Sequence, residues 1–541
     1  MRLRTAFCIT LLSLGLGSVQ VAAALAGDCR EVLAALAANP AVADVTCFVS
    51  SDLTTANPAT TPPDNSLPGL PPGAFLPRTN ANNPVSTGPG SRYPITREVP
   101  GLQISGRMAD SEMARWLIRL PDTWNGRLLV GVAPGAQCEY SQDITHSNYA
   151  VQNGYAYVAT NKGHFSTRPT TADDPKACAN QPGGSSYSAN YSSDLPPDQV
   201  FNGYARRTLE ATALAKDLTA VQYGSVPRYT YVSGISIGGT MARLLVETHP
   251  ENFDGAVTWA PPYMTVNGRP TSDGRRHGHE NHANFNNILS TFPIALKNFP
   301  DYRDSGFSQT SDGFLAMRAG FYTPDIQGLP NPPSSPSGSF FETHYNVPWQ
   351  RIQCANVTTL DPTYEAPPGG LPTVFSEYDY ATRYRIAGLR EVFRGFGTTG
   401  RLRRPLIDVH GTLDDTALLH GTRLYAADVR SKGRARFHRV YEVENGTHRD
   451  GYIDPPQGFT DIEPIGLKFI AAFERLVDWV ENGNPAPPSQ CIPRGGTIVS
   501  DPVSIDRPTI CDDGNPAVSG DDDDGDDDDD DGGGWPRSFT E

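Results

Sequence analysis

"YVSGISIGGTMAR", residues 231–243, decides how the rest of the chain is read. Ser236 stands between Gly234 and Gly238 in the pattern G-x-S-x-G, where the apolar run "YTYVSG" passes into helix-forming residues. Strand, sharp turn and helix form the setting in which such a serine projects its hydroxyl from the end of a sheet. The two glycines permit the turn, and Gly239 lets the helix approach closely. The helix N-terminus adds a favourable dipole. A purely structural turn would account for the glycines in so Gly-rich a chain, but not for the strand and helix flanking them.

Outward from this stretch the pattern is regular from about residue 99. "GLQISGRM", "MARWLIRLP", "RLLVGV" (127–132) and "GYAYVATN" (154–161) read as strands. In "TLEATALAKDLTAVQYG", Leu214, Leu218 and Val221 share one helix face. The elbow strand follows, then a helix through "TMARLLVETHP" and a strand in "FDGAVTWAP". Alternation of short apolar strands with amphipathic helices predicts an α/β fold with a mostly parallel sheet covered on both faces. The alternation stops over 262–404, which is rich in aromatics, Pro, Asn and Ser. A structureless loop of that length does not suit a compact domain, so an inserted lid is expected there. The core resumes with "PLIDVHG" (405–411) and "HRVYEVENGTH" (438–448). It closes with the helix "PIGLKFIAAFERLVDWVENG", where Leu467, Ile470, Phe473 and Val477 share a face and Gly483 is placed to end it.

A serine hydroxyl is a poor nucleophile at neutral pH. It needs a base, a group to orient that base, and donors for the developing oxyanion. "LIDVHGTLDDTALL" offers Asp414 and Asp415 just past a strand. Asp414 is the first choice for the acid and Asp415 the second, and either also suits a helix N-cap. Asp408 lies within the strand and fits less well. "ENGTHRDG" puts His448 in a loop after the last strand, whereas His410 and His438 fall in strands and His420 on a helix. The order Ser, Asp, His is that of an α/β-hydrolase. In such a fold the backbone N–H groups of Ile237 and of Gly135 or Ala136, in "VGVAPGAQCEY", are the expected oxyanion donors. "RRHGHENH" gathers His277, His279 and His282, which could ligate a transition metal. No nearby Cys or suitably spaced carboxylate completes such a site, so a polar lid loop is the preferred reading and no metal is assigned. No Walker-type loop or dinucleotide fingerprint is present, and no cofactor is expected.

The 541 residues suffice for one large domain with an insertion, or for two domains. The N-terminus, with two arginines, an apolar stretch and Ala24-Leu25-Ala26, reads as a secretory signal over 1–26. No later segment is long and apolar enough to span a bilayer. Residues 27–98 read as a short Ala/Leu helix between Cys29 and Cys47 followed by a Pro/Asn-rich wrap. The core occupies 99–261 and 405–488, and 489–541 is an extension ending in an acidic tail. The formal charge of −16 owes much to ten aspartates in "DDDDGDDDDDDGGG" (521–534). Such a run repels itself and reads as a solvated, disordered tail, since calcium loops need interleaved spacing. No basic stripe exists to neutralise phosphates, so nucleic-acid binding is not expected.

With Cys8 lost in the signal, an odd number of cysteines remains for an oxidising compartment. Proximity favours Cys29 with Cys47 and Cys491 with Cys511, leaves Cys138 with Cys178 open, and makes Cys354 the candidate free thiol. Spacing alone does not determine the pairing.

"WNGRLLVGVAPG" (124–135), "GYAYVATNKGH" (154–164), "YGSVPRYTYVSGISIGGTMA" (223–242), "HPENFDGAVTWAPP" (249–262) and "LVDWVENGNPAP" (476–487) together resemble the tannase and feruloyl esterase family. The resemblance covers the α/β core and not the insertion. It implies hydrolysis of esters of aromatic acids, with Ser236, Asp414 and His448 as the triad. Family members typically carry joined cysteines just before the serine and just after the histidine, where this chain has Ile235 and Arg449. The family's lid calcium site is not recognisable in this insertion. These departures point to a divergent branch or a relative such as the extracellular hydroxybutyrate-oligomer hydrolases. The expected ligand is therefore a small or oligomeric ester. A peptidase, an amidase or an inactive binding protein on the same fold is the alternative.

Overall fold

The computed structural model describes residues 28–60, 93–135, 138–163, 168–169, 187–188, 200–263, 397–412, 414, 417, 419–448, 450–453, 462–502 and 511. The expected signal, almost all of the expected lid with His277, His279 and His282, and the aspartate tail lie outside them, as do Ala136, Asp415, Arg449, Cys178 and Cys354.

Helix α1 (Cys29–Ala37) starts at Asp28, whose carboxylate accepts the Arg30 N–H and caps it. The helix expected to run from Cys29 to Cys47 stops at Ala37. Pro40 biases the residue before it away from the helical region, and the β-branched and aromatic residues that follow favour a strand. That strand is β1 (Val42–Ser50), and the Cys29–Cys47 disulfide ties α1 to it.

β2 (Gly101–Met108), β3 (Arg115–Pro121) and β4 (Arg127–Val132) follow, then the short α2 (Asn148–Gln152) and β5 (Ala156–Thr160). β6 (Arg168–Pro169) and β7 (Tyr187–Ser188) pair apart from the main sheet. Next come α3 (Val200–Tyr223), β8 (Tyr229–Ile235), α4 (Ile237–Thr248) and β9 (Gly255–Trp259). β10 (Leu406–Gly411), α5 (Leu419–Ser431), β11 (His438–Val443), α6 (Gly466–Asn482) and β12 (Gln490–Ile492) complete the order. Among the described residues the main sheet has ten strands in the order β1-β2-β3-β5-β4-β8-β9-β10-β11-β12. β1, β2, β3 and β5 pair antiparallel in turn, and every pair from β5 to β12 is parallel. This is the α/β-hydrolase sheet the alternation predicts. Its two edge strands, β1 and β12, have no helix-strand alternation to announce them, and each holds a disulfide cysteine, Cys491 of β12 being bridged to Cys511.

Successive strand residues feed opposite cores. Leu128, Val130 and Val132 of β4 and Val232 of β8 pack with residues of α3 and α4, including Leu214, Leu218 and Met241. Leu129, Tyr157, Tyr231 and Val257 pack on the other face with Phe469, Phe473 and Leu476 of α6. The α6 face is therefore rotated from the expected one. Leu467 is exposed, while Phe469 lies against Trp259. Apolar residues cover a wide arc of this helix, and the large ring takes the deepest position. Gly483 ends α6 at φ 73°, the left-handed conformation that favours glycine.

Candidate active site

Three loops leave the carboxyl ends of parallel strands, and each holds one sequence-nominated residue. Ser236 follows β8, with φ 57° and ψ −126°. A non-glycine residue in that region costs about 1–3 kcal/mol and persists only where its surroundings enforce it. The enforcement is visible. The Ser236 N–H donates to the Trp259 carbonyl at 2.9 Å and the Thr240 N–H to the Ser236 carbonyl at 3.1 Å. A Cβ on Gly234 would strike the backbone of Gly238, and one on Gly238 would strike the Val132 carbonyl. The turn is thus pressed onto the end of β4. Ile237 opens α4, so its N–H belongs to the first turn, whose donors have no intrahelical partner. Ile235 is buried in the apolar core on the α6 side.

The loop after β4 passes through Gly135, at φ 37°. It is held by a residue that the sequence reading did not nominate. Buried Lys162, at the end of β5, donates from Nζ to the Ala133 carbonyl at 2.6 Å and lies 5.6 Å from the Tyr204 ring. Burial pushes its ammonium down to about 7.

Asp414 and His448 come together although they leave different strands. His448 Nδ1 lies 2.9 Å from Asp414 Oδ2 and 3.1 Å from Oδ1. Both residues are buried. Asp414 Oδ1 also accepts the Ala417 N–H at 2.7 Å. Burial works against the Asp414 carboxylate. The charge of His448 and the hydrogen bonds from His410 and His448 outweigh it, holding the carboxyl well below its usual range. An ionised acid on Nδ1 leaves Nε2 as the histidine's base.

The His448 loop is anchored from beyond. Asp450 accepts from the N–H groups of Ile465 at 2.8 Å and Gly466 at 2.9 Å, and from the Tyr93 hydroxyl at 2.8 Å. Its carboxylate therefore closes the N-terminus of α6. A Cβ at Gly466 would run into the Tyr93 ring, which explains the glycine. Asp450 follows the nominated histidine by two positions, and these partners reach it from Tyr93 and from the start of α6.

Asp408, His410 and His438 occupy β10 and β11, as the sequence suggests. Asp408 meets Arg243 of α4, with Nη2 to Oδ2 at 2.8 Å, and His438 Nε2 at 2.7 Å. His410 lies beside Asp414, with Nε2 3.3 Å from Oδ2. The contact between Arg243 and Asp408 is not legible locally, because the two are 165 residues apart in sequence. Among the described residues no cluster of His, Cys, Asp and Glu is suited to hold a metal ion, and no helix is long and apolar enough to cross a membrane.

Residues 103–272, which contain the elbow, match the family model "Tannase and feruloyl esterase". A probable feruloyl esterase B-1 of Aspergillus oryzae is 28% identical over 191 residues, 35% of this chain and 31% of that protein. A D-(-)-3-hydroxybutyrate oligomer hydrolase of Burkholderia mallei is 36% identical over 98 residues, 17% of this chain and 14% of that protein. The match thus spans less than a third of the length of either curated relative. The crystal structure of feruloyl esterase B from Aspergillus oryzae aligns over 82% of this chain and 88% of that one, with 15% identity and a TM-score of 0.45. The fold assignment rests on the sheet order itself. Residues 103–272, the segment that holds the Ser236 elbow, are thus similar to the tannase and feruloyl esterase family.

Proposed function

We propose that the protein is a secreted serine hydrolase of carboxylic esters that works through an acyl-enzyme. The observation that carries this reading is the strained Ser236 elbow on the same sheet end as the buried Asp414–His448 pair. His448 Nε2 takes the proton of Ser236 Oγ as that oxygen bonds to the substrate carbonyl carbon. Asp414 stabilises the imidazolium. The N–H groups of Ile237 and of the loop at Gly135 or Ala136 hold the oxyanion. When the tetrahedral adduct collapses, His448 returns the proton to the departing alcohol. Water then repeats the sequence on the acyl-serine and releases the acid.

Esters of aromatic acids are the proposed substrates, supported by the family match and the feruloyl esterase relative. A second reading, cleavage of hydroxyalkanoate oligomers, is favoured by the shorter but more identical match to the hydroxybutyrate oligomer hydrolase. Two disulfides among the described residues support export to an oxidising compartment. Ser236→Ala is expected to lower turnover about 10⁴-fold with the fold retained. Ester hydrolysis that survives in the folded variant would overturn the assignment. A panel from aryl and hydroxycinnamoyl esters to hydroxyalkanoate oligomers, with matched amides, separates the substrate readings.

A further inference from the structure

Asp414 is held from a second side by a directional hydrogen-bond chain that begins on the nucleophile's own helix. His410 Nε2 has the Ala417 carbonyl as its near hydrogen-bond partner at 2.5 Å, and Asp414 Oδ2 lies beside the same nitrogen at 3.3 Å. Both are acceptors, so Nε2 carries the hydrogen. His410 Nδ1 lies 2.8 Å from Thr422 Oγ1. That oxygen also receives an N–H from Arg243 Nη2 at 2.8 Å. A guanidinium only donates, which leaves the threonine hydrogen for Nδ1 and sets the tautomer as Nε2–H.

The Arg243 end is itself fixed. Its guanidinium is paired with Asp408, which also accepts from Thr258 and lies 2.7 Å from His438 Nε2. The Tyr425 ring covers the guanidinium at 4.4 Å, and the Tyr425 hydroxyl donates to Glu247 at 2.8 Å. Among the described residues, the charged and titratable groups around His410 are Asp414 and His448 on one side, with Arg243, Asp408, His438, Tyr425 and Glu247 behind Thr422. Arg243, His410 and Thr422 are all buried.

We propose that His410 is a positioning residue, holding Asp414 Oδ2 toward His448 through its Nε2–H, with Thr422 and Arg243 selecting the tautomer that can do so. The proposal rests on the triad reading of Ser236, Asp414 and His448. A donor on Oδ2 opposes rotation of the carboxylate, and it tempers how strongly that oxygen attracts the His448 proton. It also couples the acid to α4, the helix that carries the elbow, so that nucleophile and acid share one rigid support.

The test compares the full-length protein with His410→Leu, His410→Gln and Thr422→Val. Leucine removes the donor, glutamine keeps an N–H near Nε2, and valine removes the relay hydroxyl at nearly constant volume. Two quantities are read: kcat and KM on phenyl acetate across pH, and the titration of His448 followed by NMR of its ring protons. His410→Leu is expected to lower kcat about 10- to 100-fold, the range typical of lost outer support. KM should stay within about twofold. The His448 midpoint should rise by about one pH unit, because an Oδ2 without its second donor attracts the imidazolium more strongly. Glutamine should recover most of both effects, and Thr422→Val should fall between.

A folded His410→Leu with unchanged kcat and unchanged His448 titration overturns the proposal. So does a His410→Gln that behaves like leucine. If His410→Leu does not fold, Thr422→Val decides by the same two readings. The titration needs no substrate. A wild-type protein that hydrolyses no ester, with a His410→Leu variant that still shows the shifted midpoint, refutes the hydrolase reading and leaves the relay standing. Hydrolysis with an unmoved midpoint does the reverse.

Discussion

Asp408 and Asp414 are six positions apart, both fully buried, and held in opposite ways. Asp408 sits inside β10 between the Arg243 guanidinium and the His438 imidazole. Asp414 sits just past the strand end against the imidazoles of His448 and His410. For each, burial alone would raise the carboxyl, and its cationic partner and hydrogen bonds overcome that, drawing it below the usual range. The first arrangement is permanent and braces the sheet to α4. In the proposed mechanism the second follows the His448 proton. A buried carboxylate therefore takes its role from the chemistry of its partner more than from its depth.

The strongest test of this contrast exchanges each carboxylate for an amide. Asp414→Asn should lower kcat on esters about 10⁴-fold, since an amide favours the wrong His448 tautomer, an effect on turnover that outweighs its effect on stability. Asp408→Asn should do the opposite. It leaves the buried Arg243 charge uncompensated, so chemical denaturation should register a loss of about 3–5 kcal/mol, with kcat falling far less. Matching outcomes for the two variants would erase the distinction.

A third carboxylate sharpens it. Asp450 accepts the N–H groups of Ile465 and Gly466 and the Tyr93 hydroxyl, so it should behave as an anchor for the His448 loop. Asp450→Ala is expected to cost about 2–3 kcal/mol by denaturation, the scale of hydrogen bonds to a charged group. If stability is unaffected, the loop is held by other means.

The smallest expected effect is a pH dependence. His146 is buried against Phe469, with ring centroids 4.7 Å apart, and burial pushes its imidazole down to about 3. A depressed folded value means that the unfolded chain takes up the proton first. This contribution is therefore complete above the unfolded value of about 6.5 and is lost as pH falls from there toward 3. Between pH 7 and pH 5 the protein should lose about 2 kcal/mol through this group. His146→Gln should flatten that part of the curve, and an unchanged slope would exclude His146 as its source. The contributions of Asp408 and Asp414, with depressed acid values, persist above about pH 4 and disappear only below it.

Much of the core was legible from local pattern. β4 spans the residues that its apolar run marks, and Gly483 ends α6 where a left-handed glycine belongs. The elbow was legible for the same reason, since G-x-S-x-G between a strand and a helix is a backbone constraint written over a few neighbouring residues. β1 was not. It follows a good helix sequence between the same two cysteines, and its strand character comes from pairing with β2. The α6 face was misjudged because periodicity counts apolar residues, whereas packing ranks them by the cavity each must fill. Lys162 and Asp450 gave no signal, because nothing in a lysine or an aspartate states that it will be buried.

The amino-acid order alone determined that strands and helices alternate, that Ser236 stands at a turn between them, and that Asp414 and His448 follow in that order along the chain. Those features depend on side-chain periodicity and on backbone preferences reaching a few residues. Only the tertiary structure decided which histidine meets which carboxylate: His448 and His410 at Asp414, His438 with Arg243 at Asp408. Those pairings arise where strands distant in sequence lie side by side, and there distance and burial set the strength and the cost of every charge.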